Sequence, residues 1–315
     1  MQAITIKNFG GPEVLTMSDI PMPTPGPEQL LVRVKATALN RADLLQRRGN
    51  YPPPSGESDI LGVEIAGEVT AVGDQVTQYK PGQRVFGLVG SGGYAEYCVI
   101  DQFTAMPIPE NLDFVAAAAV PEAFLTANEA VFTLGNLQKN ESILIHAGAS
   151  GVGSAAIQLA KQAGATVFTT VRSPEKIEKI KSLGADFISN QIPENQTVDV
   201  IIDFIGASYF AQNIQSLKPG GRLICVGLMG GAKTEINLDQ VLMRRLQIKG
   251  LIMRMRSLAD KRAITQRFSS HWLPLFSAGK IHPIVDSVFP LSEARQAHER
   301  MESNANVGKI VLRVD

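Results

Sequence analysis

Between Ala147 and Ala156 the chain reads AGASGVGSAA, with its glycines placed as Gly151-Val-Gly153-Ser-Ala-Ala156. Glycines spaced G-x-G-x-x-(G/A), directly after the apolar run SILIHA and at the mouth of a helical stretch, form a turn suited to a pyrophosphate. The first glycine permits the tight turn, the second lets backbone approach the phosphates, and Ala156 permits close helix–strand packing. The N–H groups opening the helix then supply hydrogen bonds to the anion. About 20 residues on, a site for NAD carries Asp or Glu at the end of the next strand, where it takes the ribose 2′-OH. Here that strand ends Thr170-Val171-Arg172-Ser173. An acid would repel a 2′-phosphate, whereas a guanidinium with a hydroxyl nearby can hydrogen-bond one, so this reading favours NADPH over NADH. The alternative is that Arg172 and Lys176 are ordinary solvated surface charges.

The elements that must position this turn are visible as a change of rhythm. Up to about residue 122, short β-branched runs (AITI, LLVRVKATAL, IAGEVTAVG, RVFGLV, YAEYCVI) alternate with Gly/Pro punctuation and predict a compact β domain. The proline-rich PMPTPGPE reads as a surface connection. After AAAAVPEAFLTANEAVF, a helix pair with a proline break, strands and helices alternate: SILIHA, a helix at 154–163, TVFTTV, a helix at 174–182, VDVIIDFIG, a helix at 208–217, then GRLICVGL and LQIKGLI. Buried strands separated by helices predict an α/β doubly wound parallel sheet, here over 123–260. The remaining 261–315, with most of a long helix at 258–278, a strand near IVDSVF, the helix SEARQAHERM and the strand GKIVLRV, is too short for its own core and is expected to complete the first domain.

At 315 residues, two domains are the working expectation. Thirty basic residues balance thirty acidic ones, which argues against nucleic acid or an anionic membrane as the main partner and favours a small molecule. Cys98 and Cys225 stand far apart, so no disulfide framework or C-x-x-C motif can form. With no signal-peptide or membrane-span run visible, the expectation is a cytoplasmic protein.

A β domain ahead of a dinucleotide-binding domain suggests the medium-chain dehydrogenase/reductase architecture, whose alcohol dehydrogenases carry zinc beside a G-H-E motif. The corresponding text is Leu61-Gly62-Val63-Glu64, and valine cannot ligate zinc. His146, His271, His282 and His298 show no close pairing, and His146, inside an apolar strand, reads as a packed histidine. The expectation is therefore no metal, with the nicotinamide supplying the chemistry.

The segments ALNRADLLQRRGNYPPP, ILGVEIAG, AAAVPEAFLTA, LIHAGASGVGSAAIQLA, GLMGG and NVGKIVL, in that order along the whole chain, resemble the zinc-independent quinone oxidoreductases, the zeta-crystallin-like group, and most closely its tumour-suppressor-inducible branch. The resemblance implies a GroES-like β domain (1–122, completed by 261–315), a Rossmann NADPH domain (123–260), an active site between them, and a homodimer. It implies that Asn40 and Tyr51 face nicotinamide and substrate, with Thr126 nearby. It carries cofactor contacts to Ala147, Gly148, Ser150, Gly151 and Val152, puts Ser173 and Lys176 near the 2′-phosphate, and lines Gly206, Gly227, Met229, Met253 and Asn306 along the cofactor. Where many members have a tyrosine, LGADFISNQ has Gln191, which can still donate a hydrogen bond; the departure weakens the NADPH preference unless Arg172, not general in the family, compensates.

The implied reaction is hydride transfer from NADPH to a quinone or enone, with the protein supplying position and water exclusion. Tyr51 either donates a hydrogen bond and proton to the carbonyl oxygen or is a stacking wall. One-electron and two-electron quinone reduction both remain open. Rival readings are a zinc alcohol dehydrogenase, a double-bond reductase of enones or enoyl thioesters, and a non-catalytic cofactor-binding or nucleic-acid-binding protein. The last draws on the basic stretch Arg244-Arg245-Leu-Gln-Ile-Lys249 with Arg254 and Arg256. LQIKGLI, as the last strand, would expose an edge unless paired.

Overall fold

A computed structural model describes residues 1–192 and 196–315. The chain divides into two compact units, Met1–Leu125 with Arg254–Asp315, and Thr126–Met253. The second unit ends earlier than the 123–260 expected from sequence. The reason lies in Arg254, whose side-chain bonds go to Gln46, Tyr51, Gly90 and Ser91 of the first unit.

In the first unit the strand Gln29–Ala38 is the organising element. On one side it pairs antiparallel with Glu64–Val72. Its other edge is shared: residues 29–33 pair with Tyr97–Asp101, and 36–38 with the C-terminal strand Lys309–Arg313. The sheet runs Val285–Pro290, Lys309–Arg313, Gln29–Ala38, Glu64–Val72, Arg84–Leu88, Ala105–Pro107. Alternating apolar residues of these strands, including Val32, Val34, Ile65, Val85, Ile310 and Leu312, enclose one core. The C-terminal strand Lys309–Arg313 is thus part of the same sheet as residues 29–38, so the terminal segment cannot be detached without opening that core.

The second unit is a six-stranded, all-parallel sheet in the order Phe187–Ser189, Thr166–Thr170, Ser142–Ile145, Val198–Asp203, Leu217–Cys225, Gln247–Gly250. SILI is buried throughout and VDVIID nearly so, as strands covered on both faces must be. The chain begins in the middle, at Ser142–Ile145, moves outward to one side and then returns to build the other. The switch point therefore lies between the strands Ser142–Ile145 and Val198–Asp203.

Local differences from the sequence reading have simple causes. The helix Gly151–Gln162 starts earlier than expected, because Ser150 caps it by accepting the Gly153 N–H at 3.0 Å. The stretch after Ser173 is a 3-10 turn, Pro174–Lys176, followed by the short helix Ile177–Lys181, since proline fits only a first turn. Beyond Asn128 the helix Pro121–Asn128 widens into a π-helical segment, Glu129–Leu134, which no residue spacing announced. Among the described residues no helix is long and apolar enough to cross a membrane.

Candidate active site

The second unit gathers its candidate residues at one end of its sheet. Ala147–Val152 follow the strand Ser142–Ile145; Arg172, Ser173 and Lys176 follow Thr166–Thr170; Gln191 follows Phe187–Ser189; Gly206 follows Val198–Asp203; Gly227 and Met229 follow Leu217–Cys225; and Met253 follows Gln247–Gly250. All these strands are parallel, so these positions share the carboxyl end of the sheet, where open α/β sheets bind ligands.

The turn at Ala147 is built for close backbone approach. Ala147 takes φ +48°, a left-handed conformation that costs a residue with a Cβ of order 1 kcal/mol. It is held there by Ser150 N–H donating to the Ala147 carbonyl at 2.8 Å. A Cβ on Gly153 would lie 2.4 Å from that same carbonyl oxygen and 2.9 Å from Gly148 Cα, so only glycine fits. Gly153 N–H is used by the Ser150 cap, whereas those of Gly151 and Val152, at the first helical positions, have no helical carbonyl to reach. Beneath the turn His146 is fully buried, with Nδ1 3.0 Å from Thr170 Oγ1 and Nε2 2.7 Å from Asn213 Oδ1, so it is a packed histidine. Burial holds it below the ordinary imidazole range and therefore neutral.

The neighbouring strand ends are shaped by Asp203, buried at the end of Val198–Asp203. Its carboxylate accepts the N–H groups of Ile205 at 2.7 Å and Gly206 at 3.1 Å. Gly206 needs its glycine, with φ +83° and a virtual Cβ 2.6 Å from the Gly231 carbonyl oxygen. Gly227 N–H donates to the Asp203 carbonyl and Met229 N–H to that of Phe204, leaving the Met229 side chain exposed. Met253 and Thr126 are buried, and Gln191 is exposed.

At Ser173 the sequence reading missed a competitor. Arg172 is exposed, but the Ser173 hydroxyl donates to Glu175 Oε1 at 2.7 Å, a bond that lowers the Glu175 carboxyl below its usual range. The acid absent from the strand end thus reappears two residues later, on the hydroxyl expected to meet a 2′-phosphate. Glu175→Gln should tighten NADPH relative to NADH by about three- to tenfold, since it removes one like charge near that position. Titrations of both nucleotides against both proteins check it; an unchanged ratio would remove Glu175 from the site.

In the first unit Asn40 opens the helix Arg41–Arg47 and is almost fully buried. Its Nδ2 donates to Glu64 Oε1 at 2.7 Å and to the Ala38 carbonyl at 3.2 Å, while Oδ1 accepts from Lys309 Nζ at 2.6 Å. Both amide hydrogens are therefore occupied by protein, and the residue acts as a strut. Lys309 also pairs with Glu64 at 2.8 Å and donates to the Leu39 carbonyl; Glu64 Oε2 accepts the Glu122 N–H at 2.8 Å. Glu64, next to Val63, is thus engaged by three protein partners. Asn306 donates to the Gly308 carbonyl, in the segment that delivers Lys309.

A second chain of buried bonds supports the same helix. Arg47 can only donate, so His298 Nδ1, 3.0 Å from Arg47 Nη1, accepts, and Nε2 carries the proton, 3.2 Å from the Tyr94 oxygen. Tyr94 in turn donates to Asp43 Oδ2 at 3.3 Å, which also takes the Asn40 N–H at 2.7 Å. Burial pushes the Asp43 carboxyl up to about 6 and, helped by Arg47 and Arg48, drives His298 down to about 3.

Tyr51 is half-buried, and among the described residues its hydroxyl has no hydrogen-bond partner. Burial and the nearby Glu122 push its phenol above the usual range, and Arg254 opposes them. The Arg254 guanidinium lies 5.5 Å from the ring centroid. From sequence, Arg254 belongs to a set of basic residues read as helix-surface, strand-edge and cofactor-side positions rather than as a nucleic-acid site.

Known proteins share this plan. The family description "Alcohol dehydrogenase GroES-like domain" matches residues 26–110, and "Zinc-binding dehydrogenase" matches 151–269. The quinone oxidoreductase of Rattus norvegicus is 32% identical, covering 99% of this chain and 97% of its own. Among solved structures, an NAD-dependent alcohol dehydrogenase superposes with a TM-score of 0.90 at 33% identity, covering 100% of both chains. A mycobacterial protein complexed with NADPH gives 0.89 at 27%, covering 99% of this chain and 100% of its own. The CurK enoyl reductase gives 0.87 at 27%, with 100% and 99% covered. Full-length likeness at this identity, on a GroES-like unit joined to a Rossmann unit, establishes that the chain belongs to the quinone oxidoreductase family of the medium-chain dehydrogenase/reductase superfamily.

Proposed function

We propose that the chain is an NADPH-dependent reductase that delivers hydride to a quinone without a metal. The observation that carries this reading is the turn Ala147–Gly153 at the carboxyl end of the central parallel strand, joined there by the loops of the neighbouring strands. The residues fit a dinucleotide: Gly153 leaves no room for a Cβ, and Gly151 and Val152 offer N–H groups to a pyrophosphate. When bound, the reduced dinucleotide supplies the hydride. Ala147, Gly148, Ser150, Gly151 and Val152 hold the pyrophosphate; Arg172, Ser173, Lys176 and Gln191 hold the 2′-phosphate side; Thr126, Gly206, Gly227, Met229, Met253 and Asn306 serve the remainder. Engagement of both Glu64 oxygens by Lys309, Asn40 and Glu122, beside a valine that cannot ligate, supports the metal-free part.

Tyr51 acts on the substrate. Its hydroxyl, without a hydrogen-bond partner among the described residues, donates a hydrogen bond to the carbonyl oxygen as negative charge grows there, and a quinone or enone collects its proton from this phenol or from water. Tyr51→Phe should lower kcat by about tenfold or more, with little change in nucleotide affinity. An unchanged kcat across a panel of quinones and enones would reduce the ring to a wall, and exclusive turnover of enones would favour the double-bond reductase.

The edge strand Gln247–Gly250 and the helix Leu238–Arg244 support a homodimer. Leu238, Leu242 and Met243 on the helix are about 70% exposed, and Ile248 on the strand 38%. Sedimentation should report twice the 33.9 kDa chain mass; a single chain at micromolar concentration would remove the dimer.

A further inference from the structure

Arg254 carries a charge that its bonding does not require. It is 7% exposed. Nε donates to the Gly90 carbonyl at 3.0 Å, Nη2 to Gln46 Oε1 at 2.7 Å and more loosely to Ser91 Oγ at 3.5 Å, and Nη1 reaches the Tyr51 carbonyl at 3.4 Å. Every one of these acceptors is neutral, and among the described residues no carboxylate lies within ion-pair distance of the guanidinium. A cation withdrawn from water without a counter-ion is costly, and burial accordingly weakens the hold of Arg254 on its proton. A neutral amide could tie several of the same acceptors together at lower cost. Retaining the charge therefore points to a use for its field, and a titratable group placed to feel it is Tyr51, whose ring centroid lies 5.5 Å from the guanidinium carbon. Other charged groups around this pair are Asp43, Glu57 and Glu122, which favour the cation, and Lys261, whose own charged form the Arg254 cation disfavours.

We propose that Arg254 is a positioning residue for the reduction: it fixes the Tyr51 ring by stacking and by its bond to the Tyr51 carbonyl, and its positive charge strengthens the phenol as a hydrogen-bond donor to the substrate oxygen. This rests on the role of Tyr51 argued above. The three segments it ties, around Gln46, Tyr51 and Gly90–Ser91, all belong to the first unit, so Arg254 is the first residue of the returning chain to take up a task there.

The test separates charge from tethering with Arg254→Gln and Arg254→Lys. Fluorotyrosine replacing Tyr51 lets the phenol be titrated by fluorine NMR in the nucleotide-free protein. Arg254→Gln should move that titration upward by about one pH unit, whereas Arg254→Lys should leave it near the wild-type position. In turnover, Arg254→Gln should lower kcat about tenfold in the wild-type background and less than about twofold in the Tyr51→Phe background, the non-additivity expected of residues acting as a unit. An unmoved phenol titration in Arg254→Gln, with a folded protein by thermal unfolding, overturns the proposal. Equal losses in both backgrounds do so as well, and assign Arg254 to the substrate or to the fold. If Tyr51→Phe alone leaves kcat unchanged, the reading of Tyr51 fails, while the titration still reports whether Arg254 governs the phenol.

Discussion

Gly153→Val is expected to weaken dinucleotide binding by at least about 100-fold, equivalent to about 2.7 kcal/mol. The added Cβ would meet the Ala147 carbonyl oxygen at 2.4 Å and Gly148 Cα at 2.9 Å. Both are backbone atoms, so no rotamer change relieves the contact. Ala147 is already in the left-handed region at φ +48°, which leaves the turn little freedom to give. The helix start must shift instead, taking the Gly151 and Val152 N–H groups out of register with the phosphates. Because the clash is confined to a turn at the surface end of the sheet, thermal unfolding should show a folded protein whose calorimetric titration is flat. Retained affinity would mean that the phosphates are held elsewhere.

The second large effect concerns stability. Lys309→Met should cost about 3–5 kcal/mol, because it leaves Glu64 as an uncompensated charge in the interior. The two side chains are 5% and 0% exposed, and the ammonium's three hydrogens go to Glu64, Asn40 and the Leu39 carbonyl. The double variant Glu64→Gln with Lys309→Met removes the stranded charge and should recover part of the loss. Denaturant unfolding of the three proteins reads both numbers, and a single-variant cost below about 1 kcal/mol would show that water reaches the pair. Since Asn40 is oriented by Lys309 and Glu64 together, the loss should also loosen the start of the helix Arg41–Arg47 that carries Gln46 toward Arg254.

What could be read from the sequence was what is local in the chain. The spacing of Gly151, Gly153 and Ala156 after SILIHA states the turn directly, because strand, turn and helix are consecutive. The alternation of apolar runs and helices states the parallel sheet for the same reason. Side-chain partnerships across the fold were not legible. Lys309 reaches Asn40 over 269 positions, and nothing near either residue marks the other. Arg254 draws partners from around positions 46, 51 and 90, so in sequence it is only one more basic residue. Glu175 lay in plain view, but only the geometry shows that its carboxylate takes the Ser173 hydroxyl. Asn40 is the reverse case: family resemblance singled it out, and the structure shows its amide hydrogens bound to Glu64 and Ala38.

Isothermal titration of the purified full chain with NADPH and with NADH tests the central claim most directly. The account predicts binding of one nucleotide per chain, tighter for NADPH than for NADH, and abolished by Gly153→Val. A chain that binds neither nucleotide would contradict it.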